Sequence, residues 1–68
     1  MFNYSKLKGR VREVYGTQAR FANSIGMSKT SVSAKLNNQS DWTQKEIVSA
    51  CGSLHLSLKD IPHYFFAV

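Results

Sequence analysis

Apolar residues recur at nearly helical spacing through the N-terminal part of the chain. They form one face of a predicted helix, which carries Phe2, Tyr4, Leu7, Val11 and Val14. Charged residues occupy most of the positions between them, so the pattern predicts an amphipathic first helix with one side against a core. Gly16 is the expected end of this helix, because glycine commonly terminates helices.

Three further helices are predicted by residues that cap helix N-termini. Thr17 precedes a short apolar stripe that ends at Gly26, and Ser28 precedes a mostly polar segment. Serine and threonine favour these positions because the hydroxyl accepts a hydrogen bond from a backbone N–H of the first turn. Thr43 and Glu46 have the spacing of a capping box for a fourth helix. The predicted apolar face of that helix is Ile47, Val48, Ala50, Cys51 and Leu54.

The C-terminal end of the chain is apolar but has no clear period. Ser57 and Asp60 indicate one more helical turn before Pro62. The residues that follow could form a helical turn, an edge strand or an extended plug. We therefore expect a single all-α domain over residues 1–68, a compact bundle of four to five short helices with an apolar tail.

Length and composition narrow the means by which this fold can be stabilised. A chain of 68 residues has only a modest core. Cys51 is the only cysteine, and with His55 and His63 it makes no recognised metal spacing. We expect no disulfide, metal, cofactor or small-molecule ligand, which leaves helix packing and oligomerisation.

The net charge of +5 is concentrated in the first part of the chain. Up to residue 40 only Glu13 is acidic, whereas the charges beyond that point nearly cancel. Such a basic half attracts polyanions, of which nucleic acid is the commonest in a cytoplasm. The alternative is charge that only solvates the surface, which is our interpretation of Arg10 and Arg12. The basic residues of this first part, up to residue 40, are Lys6, Lys8, Arg10, Arg12, Arg20, Lys29 and Lys35.

The stretch from residue 18 to residue 37 carries the most specific spacing in the chain. Gln18, Ala22, Gly26 and Val32 stand at intervals typical of two short helices joined by a sharp turn. With these residues the sequence resembles the phage-repressor and Cro-like family (lambda-repressor-like, Xre-type) of helix-turn-helix proteins. The resemblance implies a DNA-binding transcriptional regulator, in particular a Cro-like prophage repressor that binds a palindromic operator through the major groove.

The third predicted helix has an outer surface that suits a DNA groove. If Val32 and Leu36 face the core, a rotation of about 100° per residue turns Thr30, Ala34 and Asn37 outward. Small side chains that can hydrogen-bond base edges fit the major groove, although a Ser- and Thr-rich face is also typical of plain solvated surface. The predicted base-reading residues are Lys29, Thr30, Ser33, Ala34 and Asn37.

Phosphate contacts are predicted at the helix starts and in the loop after the third helix. The resemblance implies this role for Gln18, the first residue of the second helix. The remaining candidates are Thr17, Ser28, Asn38, Gln39 and Lys45.

The apolar tail is the candidate surface for a homodimer. One recognition helix reads few base pairs, so two copies with two-fold symmetry are expected on an operator. The predicted interface residues are Tyr64, Phe65, Phe66 and Val68. The alternative is that these rings fill the protein's own small core.

An enzyme is not expected, because the carboxylates are scattered and no histidine, cysteine or serine has an evident base partner. A free thiol and the absence of an apolar leader or membrane-length run predict a cytoplasmic protein that does not enter a membrane. The alternative function is a small helical interaction module that binds another protein with its aromatic tail. Trp42 is interpreted as a core anchor rather than a platform for nucleobases.

Overall fold

The computed structural model describes all 68 residues and contains helices and turns but no strand. Its elements in chain order are α1 (Ser5–Tyr15), α2 (Gln18–Ser24), α3 (Lys29–Leu36), α4 (Gln44–Ser53), a 3₁₀ turn (Leu58–Asp60) and α5 (Ile61–Phe65). The prediction of an all-α fold built from a few short helices is confirmed. None of the helices has the length and apolar character that crossing a bilayer requires.

Three of the predicted helix starts are confirmed by hydrogen bonds from the capping side chains. The hydroxyls of Thr17 and Ser28 accept hydrogen bonds from backbone N–H groups of α2 and α3 at 3.2 and 3.1 Å. At the start of α4 the capping box is complete: the Thr43 hydroxyl accepts from the Glu46 N–H, and the Glu46 carboxylate accepts from the Thr43 N–H. Each such cap typically stabilises a helix by about 1 kcal/mol.

Two glycines with positive φ make the sharp connections between the first three helices. Gly16 has φ +81° between α1 and α2, and Gly26 has φ +69° between α2 and α3. Residues with a Cβ enter this left-handed region only at a cost of about 1–2 kcal/mol. The second turn is closed by a hydrogen bond from the Met27 N–H to the Ala22 carbonyl at 2.9 Å. These turns fix how α3 lies against α2.

The core consists of twelve buried apolar side chains contributed by all five α-helices and their flanks. Val48, which the pattern placed on the core face of α4, is instead 51% exposed. It follows Ile47 directly, so the helix turns it about 100° away from its buried neighbour. The buried residues are Tyr4, Leu7, Val11, Phe21, Ala22, Val32, Leu36, Ile47, Ala50, Cys51, Leu54 and Phe65.

The first four residues form an N-terminal strap rather than the beginning of α1. The side chain of Asn38 holds this strap: its Oδ1 accepts from the Phe2 N–H at 3.0 Å and its Nδ2 donates to the Phe2 carbonyl at 2.7 Å. The Asn3 N–H donates to the carbonyl of Ala67 at 2.7 Å. Both ends of the chain therefore meet on one side of the molecule, and Tyr4 is buried there.

The C-terminal tail is helical up to Phe65, and residues 66–68 lie beyond the end of α5. Phe65 is only 1% exposed and packs edge-on against Trp42, with ring centroids 5.4 Å apart. Phe66 is 49% exposed and Val68 is 96% exposed. Of the structures that the sequence left open, the helical turn is the observed one, and it places one aromatic ring in the protein's own core.

Candidate interaction surfaces

The predicted base-reading residues all lie on α3 or its C-cap, but they are not equally accessible. Lys29, Thr30 and Asn37 are exposed, whereas Ser33 and Ala34 are half-buried. The aliphatic side chains of α3 are fully buried, as the predicted rotation of the helix requires. The N-terminal turn and the C-cap of α3 are therefore its most accessible parts.

A hydrogen-bonded chain connects the C-terminal end of α3 to α1. The Lys8 Nζ donates to the Asn37 Oδ1 at 3.4 Å, and the Asn37 Nδ2 donates to the Ser33 hydroxyl at 3.4 Å. Lys8 thus adds positive charge directly beside the predicted base-reading residues. Sequence reasoning did not single out Lys8, because its approach to α3 depends on the way the two helices pack.

A polar hollow of about 230 Å³ separates α1 from the start of α2. Lys8 and Arg12 line it together with Thr17 and Gln18, which the sequence predicted as phosphate contacts. Arg12, which the sequence alone suggests only solvates the surface, therefore borders these predicted contacts. The signal that could have found this pair is its spacing, since Lys8 and Arg12 stand four residues apart on the exposed side of α1.

The other predicted phosphate contacts are dispersed. The Ser28 hydroxyl caps α3 and also hydrogen-bonds the Ser31 hydroxyl. Asn38 was predicted to contact phosphate. Both polar atoms of its amide instead hydrogen-bond the backbone of the strap, so its side chain is not free to do so. Gln39 and Lys45 are exposed, the first after α3 and the second on α4.

Most cations of the first three helices have no acidic partner. Arg10 pairs with Glu13, and Lys35 pairs with Glu46 at 3.1 Å. Arg10 also donates from Nε to the Leu54 carbonyl at 2.9 Å, so it ties α1 to the end of α4 rather than only solvating the surface. The cations of α1, α2 and α3 that lack a carboxylate within 4.0 Å are Lys6, Lys8, Arg12, Arg20 and Lys29.

A second candidate surface is an apolar groove of about 420 Å³ formed by α4, the 3₁₀ turn and α5. Three large side chains at its edge are exposed: Leu58 by 66%, Val48 by 51% and Phe66 by 49%. An adjoining hollow, which also contains Phe2 and Tyr4, shares Trp42, Ile47 and Phe66 with it. The residues that line the apolar groove are Trp42, Gln44, Ile47, Val48, Leu58, Ile61 and Phe66.

Trp42 lies where the groove and the adjoining hollow meet. Its ring rests on the buried Phe65, which agrees with its interpretation as an anchor. Its Nε1 is buried and has no hydrogen-bond partner. A buried N–H without an acceptor is unfavourable by roughly 1–3 kcal/mol, which makes this indole the one unsatisfied polar group beside the groove.

The titratable groups in the interior contribute to packing and to hydrogen bonds between helices. Burial raises the pKa of the Cys51 thiol and the nearby Asp60 carboxylate raises it further, so the thiol stays neutral. The Tyr15 hydroxyl hydrogen-bonds Ser53, whose hydroxyl lies 2.7 Å from that of Ser24, and this chain joins α1, α2 and α4. No group of three His, Cys, Asp or Glu side chains is arranged to hold a metal ion.

The residues predicted for a dimer interface do not form one surface. Phe65 belongs to the core of its own chain. Tyr64 is half-buried beneath Lys6, whose Nζ is 5.1 Å from the centre of the ring. Phe66 and Val68 remain exposed, and Phe66 forms one wall of the apolar groove.

Comparison with known proteins identifies the family. Residues 1–68 match the family described as "Protein of unknown function (DUF739)". The chain belongs to the DUF739 family. No match was found among curated proteins.

A solved structure similar to this DUF739 chain is that of a phage regulator. It is the solution structure of the modulator of repression (MOR) of the temperate bacteriophage TP901-1 from Lactococcus lactis. The two chains are 45% identical, with a TM-score of 0.84, and the match covers 96% of this chain and 88% of the other. The expected membership of the repressor and Cro-like family is therefore wrong, since the whole chain matches DUF739 and 96% of it matches a modulator of repression.

Proposed function

We propose that this chain is a regulator of repression in a temperate phage or prophage and that it acts by binding another regulatory protein, the repressor. The observation that carries this proposal is the 45% identity to a modulator of repression. The match includes 88% of that protein. Whatever the relative does must therefore be done largely by the same small helical fold.

The surface of the fold supports a binding role. The interior groups are packed or hydrogen-bonded, and the two features that stand out are the uncompensated cations of α1 to α3 and the apolar groove. An exposed apolar surface rimmed by polar residues commonly marks a contact with another macromolecule. A protein partner accounts for the groove, which nucleic acid does not.

A second candidate function is the binding of duplex DNA by α3. It is favoured by two lysines that have no acidic partner. Lys29 is the first residue of α3, and Lys8 of α1 lies beside Asn37 at the other end of α3. In this candidate the base edges are contacted by Lys29, Thr30 and Asn37, and phosphates are held near Thr17 and Gln18. A palindromic site would then require two copies of the chain.

The experiment that tests the proposal uses the purified repressor of the same phage and duplex DNA from its regulatory region. Binding of this chain is measured by calorimetry to the repressor alone and to the DNA alone. We expect a complex with the repressor in the absence of DNA, and Lys29→Ala with Thr30→Ala should leave its affinity unchanged.

The second candidate gives the opposite result in the same experiment. The chain would bind DNA without the repressor, and those substitutions would weaken specific binding by about 1–3 kcal/mol. Failure of the unmodified chain to bind the repressor would overturn the proposed function.

A further inference from the structure

We infer that the apolar groove receives an amphipathic helix of the regulatory protein that this chain binds, an inference that rests on the proposed function. The partner helix inserts a few aliphatic or aromatic side chains between α4 and the 3₁₀ turn. Helices that bind in this way present apolar residues at intervals of three and four along one face.

The groove is lined by apolar side chains that the fold leaves partly exposed to water. Leu58 of the 3₁₀ turn, Val48 of α4 and Phe66 at the end of α5 converge on it, each with about half or more of its surface exposed. Each square ångström of apolar surface that a partner covers contributes about 25 cal/mol. The exposed C-terminal Val68, in contrast, is not part of the groove.

The polar content of the groove also fits a protein helix. The buried Nε1 of Trp42 lacks an acceptor. Because Trp42 lines the groove, we expect a carbonyl or side-chain oxygen of the partner to accept this N–H. Gln44 is the only other polar residue of the lining.

Charge separates this surface from one that binds nucleic acid. None of the seven lining residues is charged, although the chain as a whole carries +5. From residue 41 onward there are two cations, Lys45 and Lys59, and three carboxylates, Asp41, Glu46 and Asp60. Because Lys and Arg supply most of the affinity for a polyanion, the uncharged groove is a poor site for nucleic acid.

Size separates a helical segment from a second copy of this chain. Seven residues line the groove. A stable protein–protein interface uses roughly 20–30 residues on each side, which the groove and its adjoining hollow together do not reach. A single inserted helix needs only a few pockets for its anchoring side chains.

The test follows the groove by NMR while the partner is added. The chain is labelled with ¹⁵N, the purified repressor of the same phage is added without label, and the indole N–H of Trp42 is monitored. It is the only indole signal of the labelled chain, because the sequence has one tryptophan. We expect this signal and the amides of Val48 and Leu58 to shift, while the amides of Lys29 and Thr30 stay in place.

Substitution provides the matched control. Val48→Gln together with Leu58→Gln keeps the net charge and touches no buried residue, and we expect it to weaken repressor binding at least about tenfold. Val68→Gln changes an apolar residue that is even more exposed but lies outside the groove, and it should have an effect of less than about twofold. Circular dichroism verifies that each variant is folded.

Three outcomes overturn the inference. If the unmodified chain does not bind the repressor, the proposed function fails and the groove assignment with it. If it binds but the groove variant binds equally well, or the shifts are confined to α3, the partner uses another surface and only the groove assignment fails. If the groove signals shift on simple concentration of the chain, the occupant is a second copy.

Discussion

Asn38 combines an unusual backbone conformation with two hydrogen bonds to a distant part of the chain. Its φ is +60°, and its amide holds the N–H and the carbonyl of Phe2 across 36 positions of sequence. Asparagine tolerates the left-handed region better than other residues with a Cβ. The same residue thus shapes the loop after α3 and fastens the N-terminal strap.

Substitution of Asn38 separates these two roles. Asn38→Ala removes both hydrogen bonds and also strains the backbone, so we expect a loss of about 2–3 kcal/mol in the free energy of unfolding. Asn38→Gly removes the bonds without the strain and should be less destabilising by about 1 kcal/mol. Urea unfolding measures both variants. Equal losses would show that the backbone conformation contributes nothing.

Glu46 makes the stability of the fold depend on pH. Partial burial opposes its ionisation, but hydrogen bonds from Thr43 and the ion pair with Lys35 outweigh this effect and lower its pKa below the ordinary 4.5. A carboxylate with a lowered pKa stabilises the fold above its unfolded pKa, and the contribution is lost as the pH falls through the folded value.

The prediction for Glu46 concerns the acid limb of stability. The unmodified protein should lose stability between about pH 5 and pH 3, and Glu46→Gln should lose less over the same range. Thermal unfolding at a series of pH values measures both. The pKa of Asp60 is also lowered by hydrogen bonds from Ser57, so some decline should persist in the variant. Parallel curves would contradict the assignment to Glu46.

At the level of elements, the features predicted from sequence are those that local chemistry determines. Thr17, Ser28 and Thr43 cap the helices that they were predicted to cap. Gly16 and Gly26 adopt the positive φ expected of helix ends and tight turns. In each case the cause is a hydrogen bond or a steric limit within a few residues, which is visible in the chain itself.

The features that could not be predicted depend on distant parts of the chain. Phe2 and Tyr4 fit the helical period of α1, yet hydrogen bonds to Asn38 and Ala67 hold them in a strap. Val48 fits the face of α4 but has no neighbour to cover it. The spacing from Gln18 to Val32 describes how two helices meet, and proteins with different functions share that geometry.

The two aromatic residues at the end of α5 should respond differently to truncation. Phe65 is buried against Trp42, and Phe65→Ala leaves a cavity that is expected to lower the stability by about 3–5 kcal/mol. Phe66→Ala removes a ring that is half in solvent and should have a much smaller effect. Thermal unfolding followed by circular dichroism compares them.

Deletion of residues 64–68 is expected to unfold the chain, because it removes Phe65 and the bond from Asn3 to Ala67. A truncated protein that remains folded and becomes monomeric would instead favour the tail as a dimer interface. The Phe66→Ala variant is the control, since it changes the exposed ring and leaves the core intact.

At the scale of the whole molecule, charge and apolar surface are segregated onto different elements. The uncompensated cations stand on α1, α2 and α3, whereas the apolar groove belongs to α4, the 3₁₀ turn and α5. The Lys35–Glu46 and Arg10–Leu54 contacts connect the two parts. A protein that binds in the groove therefore does not cover the cations of α1, α2 and α3. The two surfaces can be tested separately.

This segregation predicts how salt acts on each binding function. If the repressor docks in the uncharged groove, its affinity should change less than about tenfold between 50 and 200 mM salt, since few counterions are released. Binding of DNA through the five unpaired cations of α1 to α3 would instead weaken by about 10²–10³ over the same range. Titration calorimetry with the repressor at both salt concentrations makes the measurement, and Lys8→Ala with Arg12→Ala provides the control.

A steep salt dependence that this double substitution abolishes would assign the repressor to the basic elements and leave the groove without a partner. A shallow dependence that the substitution does not alter is the result expected for docking in the apolar groove.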